Sequence, residues 1–394
     1  MGKKLTNQSQ AKRWHALMQA NYGTPSINLV RGKGPEVWDV EGKRYLDLLG
    51  GIATNLLGHN HPKVSAAITK QARTLSHISN FYGHGPGLEL AAKLQELVGD
   101  SSARIFFCNS GAEANEAALK VSRLTGKRRI VATSGAFHGR TMGALSLTGQ
   151  PSKRDPFKPL LRNVIHIPYG DLRALRKVNK RTALLVLEPI MGEAGVVVPP
   201  VGYLKAAREV CDRTGTLLLL DCVQTGMGRT GTWFGYEDEG IKPDLITIAK
   251  GIGGGLPLGA MIALGKAATS LQPGSHGTTF GGNPISCAAA NVVIAEIERL
   301  DLLRSNSAKG ALLRNLIAPI PGVVEARGRG LLIGIVLRDA KAKEIAAQLQ
   351  RRGFLVNAAN ESVIRLAPSY LITERQIASF ARVFADICEE IYDG

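Results

Sequence analysis

No stretch of this 394-residue sequence approaches the roughly 18 to 20 continuous apolar residues that cross a bilayer, so a soluble protein with no membrane partner is expected. Its five cysteines (Cys108, Cys211, Cys222, Cys287, Cys388) are scattered, odd in number and never spaced Cys-x-x-Cys. That pattern argues against a disulfide framework and a zinc site, and a reducing cytoplasm is the expected compartment. Behind the basic start Met1-Gly-Lys-Lys4 there is neither an apolar h-region nor a small-residue cleavage site, so no secretory signal is expected. The Met-Gly-x-x-x-Thr start fits the loose myristoylation pattern, but nothing else in the sequence suggests an anchor. His59 and His61, in Gly58-His-Asn-His-Pro62, lack the acidic or cysteine companions of a metal site and read as a loop turn. There is no Walker A lysine motif, no Gly-x-Gly-x-x-Gly behind a strand, no internal repeat and no low-complexity tract, which leaves nucleotide binding without support. Acidic residues are also few, 32 against 49 basic, for a net charge of +17. The basic residues are dispersed, and the densest run, Lys127-Arg128-Arg129, is too short for a basic tract. We read the excess as a solvated surface plus groups that bind phosphate and carboxylate, with no nucleic-acid partner.

What the sequence does contain is length enough for one large domain and a smaller companion. Short apolar runs at 129–132, 183–188, 216–221, 245–249 and 261–264 read as strands buried on both faces, and 112–124 and 203–214 have helical spacing. The expected fold is α/β, a large doubly wound, mostly parallel sheet (residues 46–300) whose strand ends carry the chemistry. From about residue 300 an amphipathic helix, a Gly-rich connection at 327–330 and βα-like segments read as a smaller α/β C-terminal domain, residues 301–394. Residues 1–45 are expected to pack with that domain or along a dimer, since 37–45 reads as a hairpin with Glu41-Gly42 at its turn.

The strongest chemical signal is a series of charged residues at buried strand ends. Asp221 closes one run and Lys250 the next, ahead of Gly251-Ile-Gly-Gly-Gly255. A lysine there can form a Schiff base with an aldehyde, and the glycines let backbone approach a bulky ligand. Asp221 is then placed to bind a pyridinium nitrogen; a lone strand-end lysine, without it, would read as a solvated amine. In Cys108-Asn-Ser-Gly-Ala-Glu-Ala-Asn115 a strand turns into a helix opened by Ser110, Gly111 and Ala112, whose backbone N–H groups suit a phosphate, although Asn-Ser-Gly is also an ordinary turn and cap.

These residues, with Asn21-Tyr-Gly-Thr24, Gly50-Gly-Ile-Ala53, Phe137-His-Gly-Arg-Thr141, Leu187-Glu-Pro-Ile-Met-Gly-Glu193, Lys250-Gly251 and His276-Gly-Thr-Thr-Phe-Gly-Gly-Asn-Pro284, resemble the class III (ω-amino-acid) aminotransferases nearly end to end, and most closely their bacterial acetylornithine branch. The resemblance implies the fold type I architecture of pyridoxal 5′-phosphate (PLP) enzymes, with PLP as cofactor and a homodimer whose sites lie at the interface. Lys250 resembles the lysine that carries PLP and moves the substrate proton, and Asp221 the carboxylate that keeps the pyridine nitrogen protonated. Gln224 is similar to the contact of the phenolic oxygen, Val223 and Phe137 to the side chains on the two ring faces, and Ser110, Gly111 and Ala112 to the phosphate turn. Thr279 resembles the threonine that reaches the neighbouring subunit's phosphate, and Thr278 one near substrate. Arg140 and Arg365 match two substrate-carboxylate arginines, with Glu193 neutralising Arg365 while an ω-amine enters and releasing it for 2-oxoglutarate. The implied activity is transfer of the δ-amino group of N-acetylornithine to 2-oxoglutarate, a step of arginine biosynthesis. Enzymes for succinylornithine, ornithine, 4-aminobutyrate or succinyl-diaminopimelate share every cofactor residue named, and an inactive PLP-fold binding protein is a remoter alternative.

The chain departs from the family at Asp221-Cys-Val-Gln224, where the usual second residue is glutamate. Alternation along the strand should point Cys222 away from the cofactor ring. Met191 stands where many relatives have glutamine.

Overall fold

The computed structural model describes residues 5–392, and the Met1-Gly2 start that fits a myristoylation pattern lies outside them. The leucine- and valine-rich runs form a seven-stranded sheet in the order Arg104–Cys108, Gly259–Ala263, Leu245–Ile248, Leu217–Asp221, Thr182–Leu187, Arg129–Thr133, Val164–Ile167. Thr182–Leu187 is buried at every position, as expected of a strand covered by helices on both faces. The helix Tyr203–Thr214 turns Tyr203, Leu204, Ala207, Val210 and Cys211 inward at three- and four-residue spacing and ends at Gly215, whose φ of 61° suits a glycine C-cap.

One strand breaks the parallel order. Gly259–Ala263 runs antiparallel to both of its neighbours. Residues 249–258 are too few for a crossover, which takes about a dozen or more, so the chain doubles back beside the strand it has just left.

Beyond the helices Pro284–Arg299 and Leu302–Ile317, an antiparallel sheet orders Val323–Arg329, Leu332–Leu337, Val363–Leu366 and Asn357–Ala358. The helix Glu374–Tyr392 buries Ile377, Phe380, Ala381, Phe384, Ile387 and Cys388. The glycines at 327–330 are not a loose connection: they finish the strand Val323–Arg329 and turn it at Gly330 (φ 51°) into its partner. Near the start of the chain, Glu36–Asp39 and Arg44–Asp47 form a hairpin turned at Gly42. Its second strand pairs in parallel with Phe354–Leu355.

Behind that hairpin, Gly50, Gly51, Ile52 and Ala53 take φ values of 59°, 63°, 64° and 63°, a single left-handed turn. Ile52 and Ala53 pay about 1–2 kcal/mol each for it. Asp47 Oδ1 holds the turn by accepting from the N–H groups of Leu49 (3.0 Å) and Gly50 (2.8 Å). The turn delivers Thr54 to the wall of the cavity described next.

Candidate active site

The carboxyl ends of the parallel strands open on a cavity of ≈ 460 Å³. A doubly wound sheet concentrates its ligand sites there, because each strand end releases a loop into the same crevice. Ser110, Gly111, Ala112, Phe137, Arg140, Glu193, Asp221, Val223, Gln224 and Lys250 all line it.

Asp221 ends the strand Leu217–Asp221 and is buried. Its Oδ2 accepts from His138 Nδ1 (2.7 Å) and Asn115 Nδ2 (2.8 Å), and its Oδ1 from the Val223 N–H (3.1 Å). Burial disfavours a charged His138, yet the hydrogen bond and charge of Asp221, with Glu188 adding, outweigh it and raise the imidazole pKa. Lys250 lies two residues past the next strand at φ 49°. Burial lowers its amine from 10.5 to about 8, against the pull of Glu193.

The helix Gly111–Arg123 points its N-terminus at the cavity, with Ser110 as cap accepting from the Glu113 N–H (3.2 Å). A Cβ at Gly111 would stand 2.7 Å from Val223 Cγ2, so only glycine lets this backbone approach so closely. Gly192 has the same role beside the Gln224 amide, which a Cβ there would overlap.

Arg365, on the strand Val363–Leu366, is buried. Its Nη1 donates to Glu193 Oε1 (2.6 Å) and Gln224 Oε1 (3.1 Å), and its Nη2 to Asn357 Oδ1 (3.0 Å). Burial works to protonate Glu193, but the positive charges of Arg365 and Lys250 prevail and lower its pKa. Arg140 is exposed at the mouth, with its guanidinium carbon 5.5 Å from the centre of the Phe137 ring.

Three expected residues are not among those that line this wall: Arg365, which meets it through its bonds to Glu193 and Gln224, and the two threonines Thr278 and Thr279. Thr278 is one step back, its Oγ1 accepting from Asn109 Nδ2 (3.1 Å), and Asn109 lines the cavity. Thr279 is exposed and away from the cavity of its own chain. Cys222 is fully buried in the main core beside residues such as Met227 and Phe234, with its thiol pKa driven up by burial, and it does not line the cavity.

The site also holds residues that the sequence reading did not single out. His138 and Asn115, which fasten Asp221, are cavity residues, and so is Glu188, whose Oε1 accepts from the Phe137 N–H (3.0 Å) and whose pKa burial raises to about 7. Glu188 follows the strand Thr182–Leu187 as a charge closing an apolar run, the same signal that marked Asp221. Among the described residues no cluster of three His, Cys, Asp or Glu side chains is placed to hold a metal, and no helix is long and apolar enough to cross a membrane.

Residues 17–388 match the family described as Aminotransferase class-III. The chain belongs to that family. Aligned over 98% of both chains, it is 53% identical to the acetylornithine aminotransferase of Mycobacterium tuberculosis strain H37Rv. It is 50% identical to the enzyme of the same name from Streptomyces coelicolor, over 98% of this chain and 97% of the relative. Among solved structures it superposes on the ornithine aminotransferase of Toxoplasma gondii ME49 with a TM-score of 0.94 at 29% identity, covering 99% and 97% of the two chains. It superposes on the acetylornithine aminotransferase of Elizabethkingia anophelis with a TM-score of 0.87 at 32% identity, covering 98% and 99%. The fold of this class III aminotransferase is therefore PLP fold type I, and its cofactor is PLP.

The residues present fit that cofactor on their own terms. A helix N-terminus kept clear by Gly111, whose free N–H groups suit an anion, a buried carboxylate held by His138 and Asn115, and a lysine with a depressed pKa face one cavity walled by Phe137 and Val223.

Proposed function

We propose that this chain transfers the δ-amino group of N-acetylornithine to 2-oxoglutarate, giving N-acetylglutamate semialdehyde and glutamate, as a cytoplasmic homodimer in arginine biosynthesis. The observation that carries the reading is full-length likeness to acetylornithine aminotransferases at about half identity, laid over a cavity lined by Arg140 and by Glu193 and Gln224, the partners of the buried Arg365.

When bound, PLP supplies an aldehyde that takes up the amino group and a ring that disperses the electron pair left on the substrate carbon. The protein supplies the rest. Lys250, its amine pKa drawn down by burial to about 8, takes a proton from the reacting substrate carbon and returns it, as a general base and then acid. Asp221, fixed by His138 and Asn115, holds a proton on the pyridine nitrogen. Gln224 has its Oε1 committed to Arg365 and keeps its amide N–H groups for the phenolic oxygen. Phe137 and Val223 confine the ring, and the Ser110–Gly111–Ala112 turn binds the phosphate.

Arg140, at the mouth, takes the α-carboxylate of the donor in a bidentate fork. Glu193 occupies Arg365 while the δ-amine of the donor enters, and yields it to the α-carboxylate of 2-oxoglutarate. Support for the dimer comes from two loops that pack together and expose aromatic surface. Asn80 Nδ2 donates to Gly281 O (3.0 Å) and the His77 and Phe280 rings lie 4.9 Å apart, while Phe81, Tyr82 and Phe280 remain 92%, 67% and 59% exposed. Contiguous apolar surface of that kind marks an interface. In the dimer Thr279 reaches the neighbour's phosphate and Thr278 lies near substrate.

The test is a side-by-side panel of N-acetylornithine, succinylornithine, ornithine, 4-aminobutyrate and succinyl-diaminopimelate with 2-oxoglutarate as acceptor. N-Acetylornithine should lead ornithine and 4-aminobutyrate in kcat/KM by at least about tenfold, some 1.4 kcal/mol of transition-state discrimination. A lead for either of those two would overturn the donor and leave the class standing. Borohydride reduction followed by mass spectrometry should find pyridoxyl on Lys250, and pyridoxyl on another lysine would overturn that assignment.

A further inference from the structure

Glu193 is held between two cations from different parts of the chain. Arg365 Nη1, on a strand of the C-terminal part, lies 2.6 Å from Oε1. Lys153 Nζ, on the short helix Pro151–Arg154, lies 3.9 Å from Oε2. The lysine is not a loose surface amine. Its side chain is 24% exposed, and its ammonium sits 4.9 Å from the centre of the Phe137 ring that walls the cavity. Burial lowers its pKa; the charge of Glu193 opposes that, and Arg140 and Arg365 add to it. Three cations, Arg140, Lys153 and Arg365, thus lie within electrostatic reach of one another beside Glu193, and the lysine is the one with no part in the reading above.

Releasing Arg365 has an energetic difficulty. A partly buried carboxylate that leaves the cation bonded to it keeps its desolvation penalty and loses the largest part of its compensation, with the more distant charge of Lys250 the larger part of the remainder. Arg365 is itself buried and remains tied to Gln224 and Asn357, so it cannot follow the departing acid. Lys153 faces the other oxygen of the same carboxylate, and the gap of 3.9 Å leaves room to close by about 1 Å to a full ion pair.

We propose that Lys153 is the second resting partner of Glu193, so that admitting the α-carboxylate of 2-oxoglutarate moves Glu193 from Arg365 to Lys153 and exchanges one ion pair for another. The inference rests on the proposed gating of Arg365 and assigns Lys153 as a positioning residue, acting through Glu193. Its influence falls on the acceptor half-reaction, the one in which Glu193 must leave. In the donor half-reaction Glu193 stays on Arg365, and the lysine has less to do.

The test is a double-mutant cycle on the holoenzyme, read in separate single-turnover half-reactions. Lys153→Met keeps an unbranched side chain of similar length and removes the charge. It should raise KM for 2-oxoglutarate and lower the acceptor kcat/KM by about tenfold more than the donor value, whereas Lys153→Arg should recover most of the loss. In the Glu193→Ala background the further change Lys153→Met should shift the acceptor half-reaction by less than about twofold, since the partner through which it acts is gone. A direct readout uses glutarate, a dicarboxylate without the keto group, titrated calorimetrically. Lys153→Met should weaken glutarate binding when Glu193 is present and leave it unaltered in the Glu193→Ala background. Equal losses in both half-reactions, or a loss that persists without Glu193, would overturn the proposal, the second by making Lys153 a direct carboxylate ligand. A wild-type enzyme inactive with every ω-amine would instead sink the functional reading, while the glutarate cycle would still decide the role of Lys153.

Discussion

A lysine at φ 49° sits where L side chains are rarely found, and Lys250 is held there with its amine pKa drawn down to about 8. In cofactor-free protein this has a definite sign. The unfolded amine titrates near 10.5, so folding favours the neutral form. The penalty for housing an ammonium is full below pH about 8 and fades as pH rises from there to 10.5. Lys250→Met should therefore raise the Tm of the cofactor-free protein at pH 7 and raise it much less at pH 10.5, as followed by calorimetry; an equal gain at both would contradict the depressed pKa. At the other end of the site, Arg365→Lys replaces a fork that serves Glu193, Gln224 and Asn357 by a point charge. It should cost the acceptor half-reaction at least about tenfold more than the donor half-reaction, and equal losses in single turnovers would remove the case for gating. Lys250 and Asp221 were legible in the sequence as a pair, because charges closing two successive apolar runs meet at one end of the sheet, whereas either alone reads as an ordinary strand-end charge. Glu188 carried the same mark and went unread. His138 and Asn115 lie inside motifs that were read, but their convergence on one oxygen of Asp221 depends on three elements meeting, which spacing along the chain does not encode. Lys153 gave no signal, since its helix is four residues long and its partner Glu193 is forty residues away.

The helix Gly111–Arg123 shows what an element adds to its residues. Its first turn bears Glu113 and its last turn Lys120 and Arg123, each at the end of the dipole that favours it, and its opening N–H groups face the cavity. Gly111→Ala would press a methyl group onto Val223, and relief by a small shift of the turn costs about 1–3 kcal/mol. The expected outcome is a weaker PLP Kd, measured by equilibrium titration, with a smaller change in the Tm of the cofactor-free protein; an unchanged Kd would show that the turn has slack. At this scale five strands of the seven-stranded sheet and two of the helices beside it were legible, because burial on both faces produces apolar runs that polar helical segments separate; the partly exposed edge strands Arg104–Cys108 and Val164–Ile167 are not buried in that way and were not read as such runs. The reversal at Gly259–Ala263 was not legible, because a buried strand has the same composition in either direction. Only the shortness of the 249–258 connection distinguishes the two.

For the whole molecule, the proposed dimer makes each site a product of two chains. If Thr279 completes the neighbour's phosphate site, a Lys250→Ala chain and a Thr279→Ala chain should rescue one another when unfolded and refolded together. One site of each mixed dimer would combine an intact Lys250 with an intact Thr279 from across the interface. Up to half of the mixed-dimer sites should then regain wild-type PLP affinity, whereas activity no greater than the separate variants would place Thr279 outside the partner's site.

The pairing of Arg44–Asp47 with Phe354–Leu355 also sets a clock on synthesis. The first strand leaves the ribosome roughly 300 residues before its partner, some 15 to 60 s at about 5 to 20 residues per second. Throughout that interval one edge of the early hairpin has unpaired N–H and C=O groups, the kind of template on which neighbouring nascent chains aggregate. The hairpin tip is blunted meanwhile by Asp39, which accepts from the N–H groups of Glu41 and Lys43 within its own turn and from the Tyr45 hydroxyl. A chain halted before residue 350 should still be cut by protease within residues 29–47, and one extended past Leu355 should resist.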